Sequence, residues 1–366
     1  MLLIATRSFP PEIGGMQSLM GGLAETLSLD YQTIVLADKF VGDKSYDDNK
    51  NYKIFRFGGF KFLKKLRKIN FLKEIIRQNK FKKIIADHWK SIERIPDEIA
   101  KTIGIICLIH GKEINHERNS TLNQRMLLAF KKANIIVANS HFTKKLAINL
   151  GIEEKKIIVI HPGIHKPNEI SNNDDLESKK IFEDASIKII TVGRFDKRKG
   201  IDFSILALKN IKSIYPSFKY VIIGNGDEED TLKNIVRSTG LENHVFFFKE
   251  ISQGLKNALI KNSNFFLMPS RIEGKSIEGF GISYIEAASY EIPSIGGKDG
   301  GASDAIKHGE TGYLCDGNNL EEIYENIKLM IENKKYLTLG KNAKEFSKQF
   351  YWENIIKDYK KLLIHN

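Results

Sequence analysis

The sequence predicts an α/β fold made of two Rossmann-like domains, each a doubly wound parallel sheet. Three observations point there. The chain has 366 residues, more than one ordinary core holds and enough for two domains of about 150–200 residues each. Short apolar runs alternate with amphipathic stretches from end to end, the pattern of parallel strands wrapped by helices. That alternation restarts after a polar stretch at Lys166–Lys180 (KPNEISNNDDLESKK), which reads as a linker or hinge.

In the first half, apolar runs predict strands at Leu2–Thr6, Thr33–Ala37, Ile84–Ala86, Ile105–His110, Ile135–Ala138 and Ile157–His161. Helical periodicity predicts helices at Met16–Leu29, Phe60–Gln78, Arg125–Lys132 and Thr143–Leu150. In the second half the strands are Ile187–Val192, Tyr220–Ile223, Val245–Phe248, Phe265–Met268 and Ile292–Gly296. Helices fit at Asp202–Ile214, Glu229–Ser238, Leu255–Lys261, Tyr284–Ala288 and Leu320–Glu332. Ligands of such sheets bind at the carboxyl ends of the strands, so two facing domains would hold a ligand in the cleft between them.

Composition narrows the function. Hydrophobic residues make up 42% and charged residues 28% of the chain, and no apolar run reaches the about 18 residues of a membrane span. The opening MLLIATRSFPPE reads as a first core strand, not a signal peptide. Cys107 and Cys315 lie far apart in apolar stretches, which excludes a disulfide framework and fits a reducing, cytoplasmic setting. Residues 1–160 hold 28 Lys/Arg against 16 Asp/Glu, and residues 161–366 hold 29 against 29. The whole net charge of +12 therefore belongs to the first half. That asymmetry points to an anionic surface or partner there. Nucleic acid is not that partner, because no recognition motif or aromatic interleaving accompanies the charge.

Three segments carry candidate chemistry. The first strand runs into Ser8–Gly15 (SFPPEIGG) before a helix, and a Gly pair there lets backbone amides approach a phosphate or sugar, helped by the helix dipole. The bland reading of the pair is a tight turn. In the second half, Gly193–Gly200 (GRFDKRKG) follows a strand. Arg194 there offers a planar fork and Lys199 a mobile point charge for a diphosphate; a solvated basic loop is the alternative. In Pro269–Ala288 (PSRIEGKSIEGFGISYIEAA), Glu278 and Glu286 flank Gly279 and Gly281 at the entry to a helix near Ile282. Paired carboxylates suit the acid and base of a glycoside hydrolase. The basic pair upstream and the amide-rich turn favour binding of a phosphorylated sugar instead.

Taken together, GRFDKRKG, EGFGISYIE and the GG-containing first loop resemble the retaining glycosyltransferases of family 4. So do Asn139–Thr143 (NSHFT), His161–Ile164 (HPGI), Gly297–Asp304 (GKDGGASD) and the ending Phe350–Leu362 (FYWENIIKDYKKL). The resemblance implies the two-domain GT-B fold, with the last helix crossing back onto the first domain. Residues 1–165 plus 350–366 would form the acceptor-side domain and 166–349 the nucleotide-sugar domain. It implies that Arg194 and Lys199 hold the donor diphosphate, that Glu278 contacts hydroxyls of the transferred sugar beside the amides of Gly279, Phe280, Gly281 and Ile282, and that Glu286 binds the ribose. His110 would lie beside the transferred sugar and Gly15 at the diphosphate. The base would sit near Lys249–Ile251, where this chain has KEIS in place of the family's glycine, with Ile251 as the contact. Transfer would retain configuration, with the leaving diphosphate helping to deprotonate the incoming hydroxyl. No metal or other cofactor is expected, and no DxD motif is evident. His141 and His161 read as structural, and His88-Trp89 as lining of the cleft.

Phe60–Lys83 holds ten Lys or Arg and one acid, Glu74. Phe62, Leu66, Ile69, Leu72 and Ile76 recur on one helical face. This helix either packs its apolar face inward or lies on an anionic membrane, and Lys61, Lys64, Lys65 and Lys68 are its candidate lipid contacts. The full expectation is a hexosyltransferase using a nucleotide sugar, GDP-mannose first and a UDP-sugar second. Its acceptor would be a glycan or a lipid-linked glycan of the cell envelope, and the enzyme cytoplasmic and peripheral at the inner membrane face. A non-hydrolysing nucleotide-sugar epimerase and a glycan-binding module without turnover are the competing readings.

Overall fold

The computed structural model describes residues 1–364, without the side chain of Lys61, so the proposed lipid contact at Lys61 lies outside the described residues. The chain divides into two compact units, residues 1–165 with 350–366, and residues 166–349. The first unit begins with β1 (Leu2–Ala5), α1 (Gly15–Ser28), β2 (Thr33–Asp38), α2 (Asp43–Asp48), β3 (Lys53–Phe57) and α3 (Lys61–Gln78). It continues through β4 (Lys83–Ala86), α4 (Trp89–Ile92), α5 (Asp97–Thr102), β5 (Gly104–Ile109), α6 (Thr121–Lys131), β6 (Ile135–Ala138), α7 (His141–Asn149) and β7 (Ile157–Val159). The second unit holds α8 (Asn172–Ile181), β8 (Ile187–Val192), α9 (Ile201–Ile211), β9 (Phe218–Ile223), α10 (Glu229–Thr239), β10 (Val245–Phe248), α11 (Gln253–Lys261) and β11 (Phe265–Met268). Then come α12 (Ile282–Ser289), β12 (Ser294–Gly297), α13 (Ala302–Ala305), β13 (Gly312–Cys315), α14 (Leu320–Ile331) and α15 (Lys335–Ser347). The last helix, α16 (Trp352–Ile364), belongs to the first unit.

Both sheets are parallel. The first has the order β3-β2-β1-β4-β5-β6-β7 and the second β10-β9-β8-β11-β12-β13. Ile4 pairs with Val35 on one side and Ile85 on the other. The central strands are buried on both faces, hence their unbroken Val/Ile/Leu runs. In each sheet the order reverses beside the first strand, so the crevice for a ligand opens at the carboxyl ends of β1 and β4, and of β8 and β11.

Several elements depart from the expectation. The stretch 166–180 is not a free linker: Ser171 caps α8, and Asn262 Nδ2 donates to Asp175 Oδ1 at 2.9 Å, docking α8 on α11. Its polar sequence hides this because α8 exposes most of its surface and buries Ser178 as its contact. The edge strands β3 and β13, and helices α2, α4, α5, α13 and α15, carry too little apolar pattern to be recognised. Trp89 is fully buried and donates Nε1–H to Glu113 O at 3.0 Å. It therefore packs the core and lines no cleft.

Helix α16 is seated by Trp352. A Cβ on Gly22 of α1 would lie 2.3 Å from the indole nitrogen, and one on Gly163 2.5 Å from the ring. Ile164 N donates to Phe350 O at 2.9 Å and Trp352 N to Ile164 O at 3.0 Å. The two glycines make room for an indole between them, and the strand-like bonds hold it there.

In α3 the apolar stripe divides. Leu72 and Ile75 are buried in the first core, with Ile69, Phe71 and Ile76 packed against it, whereas Phe62 and Leu63 are exposed. Two of the four candidate lipid lysines turn inward, which corrects their assignment. Lys64 Nζ lies 2.6 Å and Lys68 Nζ 3.2 Å from Asp38 at the end of β2, and Lys68 also donates to Thr6 O. Burial draws the Lys68 ammonium below its usual range, opposed by Asp38 and Asp87. Neither cation is placed to touch lipid.

Candidate active site

In the second unit, β8 delivers Gly193 to Asp196 at its carboxyl end, followed by a short helical turn at Lys197–Lys199. Asp196 Oδ1 accepts from Arg198 N at 3.3 Å and starts that turn. Gly200 ends it at φ +69, where a Cβ would stand 2.1 Å from Pro269 O. Only glycine permits that approach, which brings the turn against the loop 269–281.

The approach creates a cluster. Lys199 Nζ lies 2.5 Å and Arg198 Nη1 2.7 Å from the same oxygen of Glu278, Oε2. Burial raises the Glu278 carboxyl, but Lys199 and Arg198 outweigh it and hold it below the usual carboxylate range. Burial draws Lys199 downward against the pull of Glu278. The group is thus an ionised carboxylate carrying two cations. Residues 194–199 and Glu278 together hold four cations and two acids, a surplus of two positive charges. Arg194 is exposed. The buried Arg198 Nε–H makes no hydrogen bond among the described residues, though it lies 3.5 Å from Asp196 Oδ2. Such a surplus, with one N–H unused, suits an anionic ligand.

The loop that carries Glu278 is held from several sides. Arg271, itself buried, binds both oxygens of Asp202 at 2.8 and 2.7 Å and donates its backbone N–H to Arg198 O at 2.8 Å. Gly301 N donates to Glu278 O at 2.8 Å. A Cβ on Gly297 would lie 1.6 Å from Ser270 O, and one on Gly300 2.5 Å from Glu278 O. Gly297 and Gly300 are therefore required by backbone-on-backbone packing against this loop. Gly279 and the buried Phe280 lead to Gly281, which caps α12 at φ +89 with no side-chain hydrogen bond. Ile282 is the first residue of α12, and Glu286 lies on the next turn, partly exposed and 3.4 Å from Lys256 Nζ. Ile251 is half-buried between β10 and α11. The loops after β8 and β9 also interlock, since a Cβ on Gly224 would stand 1.9 Å from Gly193 O and one on Gly226 2.4 Å from Phe195 O.

In the first unit, Gly15 opens α1, and His110 follows β5. His110 Nε2 lies 3.1 Å from Asp87 O. A carbonyl only accepts, so Nε2 carries a proton. The His110 backbone N–H donates to Glu113 Oε1 at 2.6 Å. Asp87, buried after β4, accepts from Thr6 Oγ1 at 2.9 Å, Arg7 N at 2.8 Å and Ser91 Oγ at 2.7 Å. His88 also carries its proton on Nε2: its Nδ1 accepts from Lys90 N at 2.9 Å, leaving Nε2–H as donor. Burial, with Arg7 and Lys90 nearby, pushes His88 down to about 2.

Of the residues singled out in the sequence, Lys199 and Glu278 meet directly, with Arg194 on the same loop and Gly279–Ile282 on the same turn as Glu278. Gly15, at the start of α1, and His110, just after β5, lie in the other unit. Sequence reasoning passed over Arg198, Arg271, Asp87 and the Gly224–Gly226 turn. The last had a readable signal, Gly-x-Gly straight after a strand; the ion pairs had none.

Comparison with known proteins agrees with this architecture. A family described as Glycosyltransferase Family 4 matches residues 13–166, and one described as Glycosyl transferases group 1 matches residues 172–346. A GDP-mannose-dependent alpha-(1-6)-phosphatidylinositol monomannoside mannosyltransferase of Mycolicibacterium smegmatis is 23% identical over 351 residues, covering 93% of this chain and 91% of the relative. An uncharacterised glycosyltransferase of Methanocaldococcus jannaschii is 28% identical over 332 residues, 87% of each chain. Among solved structures, HepE of Anabaena in complex with UDP superposes with a TM-score of 0.82 at 20% identity, over 99% of both chains. Sucrose-phosphate synthase of Thermosynechococcus elongatus gives 0.80 at 19%, covering 99% of this chain and 97% of that one. Two parallel α/β units, a basic strand-end loop closed on a buried glutamate, and family matches that between them run from residue 13 to residue 346 lead to one assignment: the chain is a glycosyltransferase of family 4 with the GT-B fold.

Proposed function

We propose that this glycosyltransferase moves mannose from GDP-mannose, with retention of configuration, to a glycan or lipid-linked acceptor of the cell envelope. The observation that carries the donor class is the Arg198–Glu278–Lys199 cluster, whose surplus positive charge suits a nucleoside diphosphate. Arg194, Arg198 and Lys199 would meet the diphosphate, Glu278 and the amides of Gly279–Ile282 the sugar, and Glu286 the ribose. Ile251 would lie against the base. From the first unit, Gly15 would approach the diphosphate, and His110 would accept a hydrogen bond from a sugar hydroxyl through Nδ1. The bond between the anomeric carbon and the diphosphate oxygen breaks as the acceptor oxygen attacks the same face. The acceptor proton passes to the departing diphosphate. Positioning and electrostatics are then the protein's contribution, with the three cations supplying the charge and no metal or other cofactor invoked.

The mannosyl donor is favoured by the GDP-mannose dependence printed for the Mycolicibacterium relative. A UDP-sugar is the second reading, because HepE has been crystallised with UDP. No helix among the described residues is long and apolar enough to cross a membrane, so a lipid-linked acceptor would be met by peripheral contact with an anionic membrane.

A thermal-shift and calorimetry panel of GDP, UDP and ADP, followed by transfer assays with the matching sugars, tests this. GDP at about 100 times its Kd should stabilise the enzyme by about 2.7 kcal/mol, and Glu286→Gln should weaken GDP binding. Equal GDP affinity in that variant removes Glu286 from the ribose. A response to UDP alone replaces the donor. An inverted product anomer overturns the retaining mechanism.

A further inference from the structure

We infer that the first unit docks on an anionic lipid surface through the segments that follow three neighbouring strands, the start of α3 among them, and not through Lys64 and Lys68. Ile13, Phe40, Val41, Phe60, Phe62 and Leu63 are exposed by 44% at Phe40 to 98% at Ile13. They belong to the segments that follow β1, β2 and β3, three adjacent strands of one sheet edge. These segments touch one another. Lys39 N donates to Phe57 O at 2.9 Å, a Cβ on Gly58 would lie 2.9 Å from the Lys39 side chain, and one on Gly42 3.9 Å from Pro11. Arg56 ties them further, donating to Pro10 O at 2.6 Å and to Asp38 O at 3.3 Å.

Six large apolar side chains on one rim are unusual for a surface meant only for water. Their surroundings select the partner. Besides Lys64, which Asp38 holds, segments 7–14, 39–44 and 58–67 contain six Lys/Arg against Glu12 and Asp43. Aromatic and aliphatic tips set among cations match the boundary between acyl chains and anionic headgroups. A protein partner buried by apolar area alone would not call for that charge. The inference deepens the membrane contact proposed above and depends on no property of the donor site.

The test is flotation of the full chain with vesicles of phosphatidylcholine containing phosphatidylglycerol, at low and high salt. Wild type should float, and part of the binding should survive high salt, because apolar insertion is not screened. The variant V41S/F60S/F62S/L63S should lose the bound fraction by about 10-fold or more. Leu329→Ser with Leu337→Ser, exposed positions of the other unit, should bind as wild type. Nucleotide affinity, measured on the same samples, should be unchanged, which separates this inference from the donor assignment. Absence of wild-type flotation overturns it, as does equal flotation of the quadruple variant. A wild-type dimer that the quadruple variant dissolves, without vesicle binding, assigns the rim to a second copy of this chain instead.

Discussion

Glu278 and Arg194 make opposite demands on their surroundings, and their variants should differ accordingly. Arg194 is exposed, so Arg194→Ala removes a charge proposed for the diphosphate without leaving anything buried unpaired. Turnover should fall by about 10²–10³, the scale for one transition-state donor, with the melting temperature unchanged. Lys199→Ala should lose turnover comparably but also stability, since Lys199 is one of two cations on Glu278 Oε2 and a buried carboxylate short of a partner is costly. Steady-state kinetics and melting on both variants check this; near-normal rates in Arg194→Ala would take it out of the site. His88 makes a prediction about pH. Its folded value of about 2 lies below the ordinary 6.5, so between those values the unfolded chain binds the extra proton. The stability contributed by neutral His88 is complete above pH 6.5 and is lost as pH falls from 6.5 toward 2. From pH 7.5 to 5 the loss is about 2 kcal/mol. Asparagine can keep the cap on Lys90 N without titrating. Urea unfolding of His88→Asn should therefore show a flatter acid limb than wild type, and parallel limbs would refute the assignment.

Among the elements, glycines separate tight packing from backbone conformation. Gly297 ends β12 with no room for a methyl group, whereas Gly240 stands at φ +66 after α10 with nothing within 4 Å of its Cβ position. Gly240→Ala should cost about 1 kcal/mol, the left-handed penalty alone. Gly297→Ala must move Ser270 and the loop behind it, costing about 3 kcal/mol or more and disturbing Glu278 as well. Denaturant titration compares the two, and equal costs would show that the loop yields freely. The same logic explains α16, where Gly22 and Gly163 admit Trp352. In the sequence, Gly163 and Gly297 stand out only as members of HPGI and GKDGGASD. Their tasks, admitting an indole and letting one backbone rest on another, depend on which segment lies opposite.

For the whole molecule, two separate cores mean that a nucleotide held by residues 166–349, as proposed, would stabilise that unit, so its melting transition is the one the nucleotide panel should read. The charge divides the same way. The surplus of the first half is spread over loops and helices, and the pairing of Lys64 and Lys68 with Asp38 takes two of its members out of contact with solvent partners.

The fold class was legible in the residues because parallel strands buried on both faces need continuous apolar runs, and their crossover helices need amphipathic ones. Ile135–Ala138, Ile187–Val192, Val245–Phe248 and Phe265–Met268 were readable to the residue. Edge strand β3 and the polar helix α8 were not, since elements half-covered by neighbours carry weaker patterns. Arg194, Lys199 and Glu278 were legible by position in a motif. Only the folded chain decided that Arg198 joins Lys199 on one carboxylate oxygen, that Lys64 and Lys68 face Asp38, and that Ile13, Val41 and Phe60 share a rim. Periodicity reports the face of a single element, whereas an ion pair or a surface patch is set by which elements the topology places side by side.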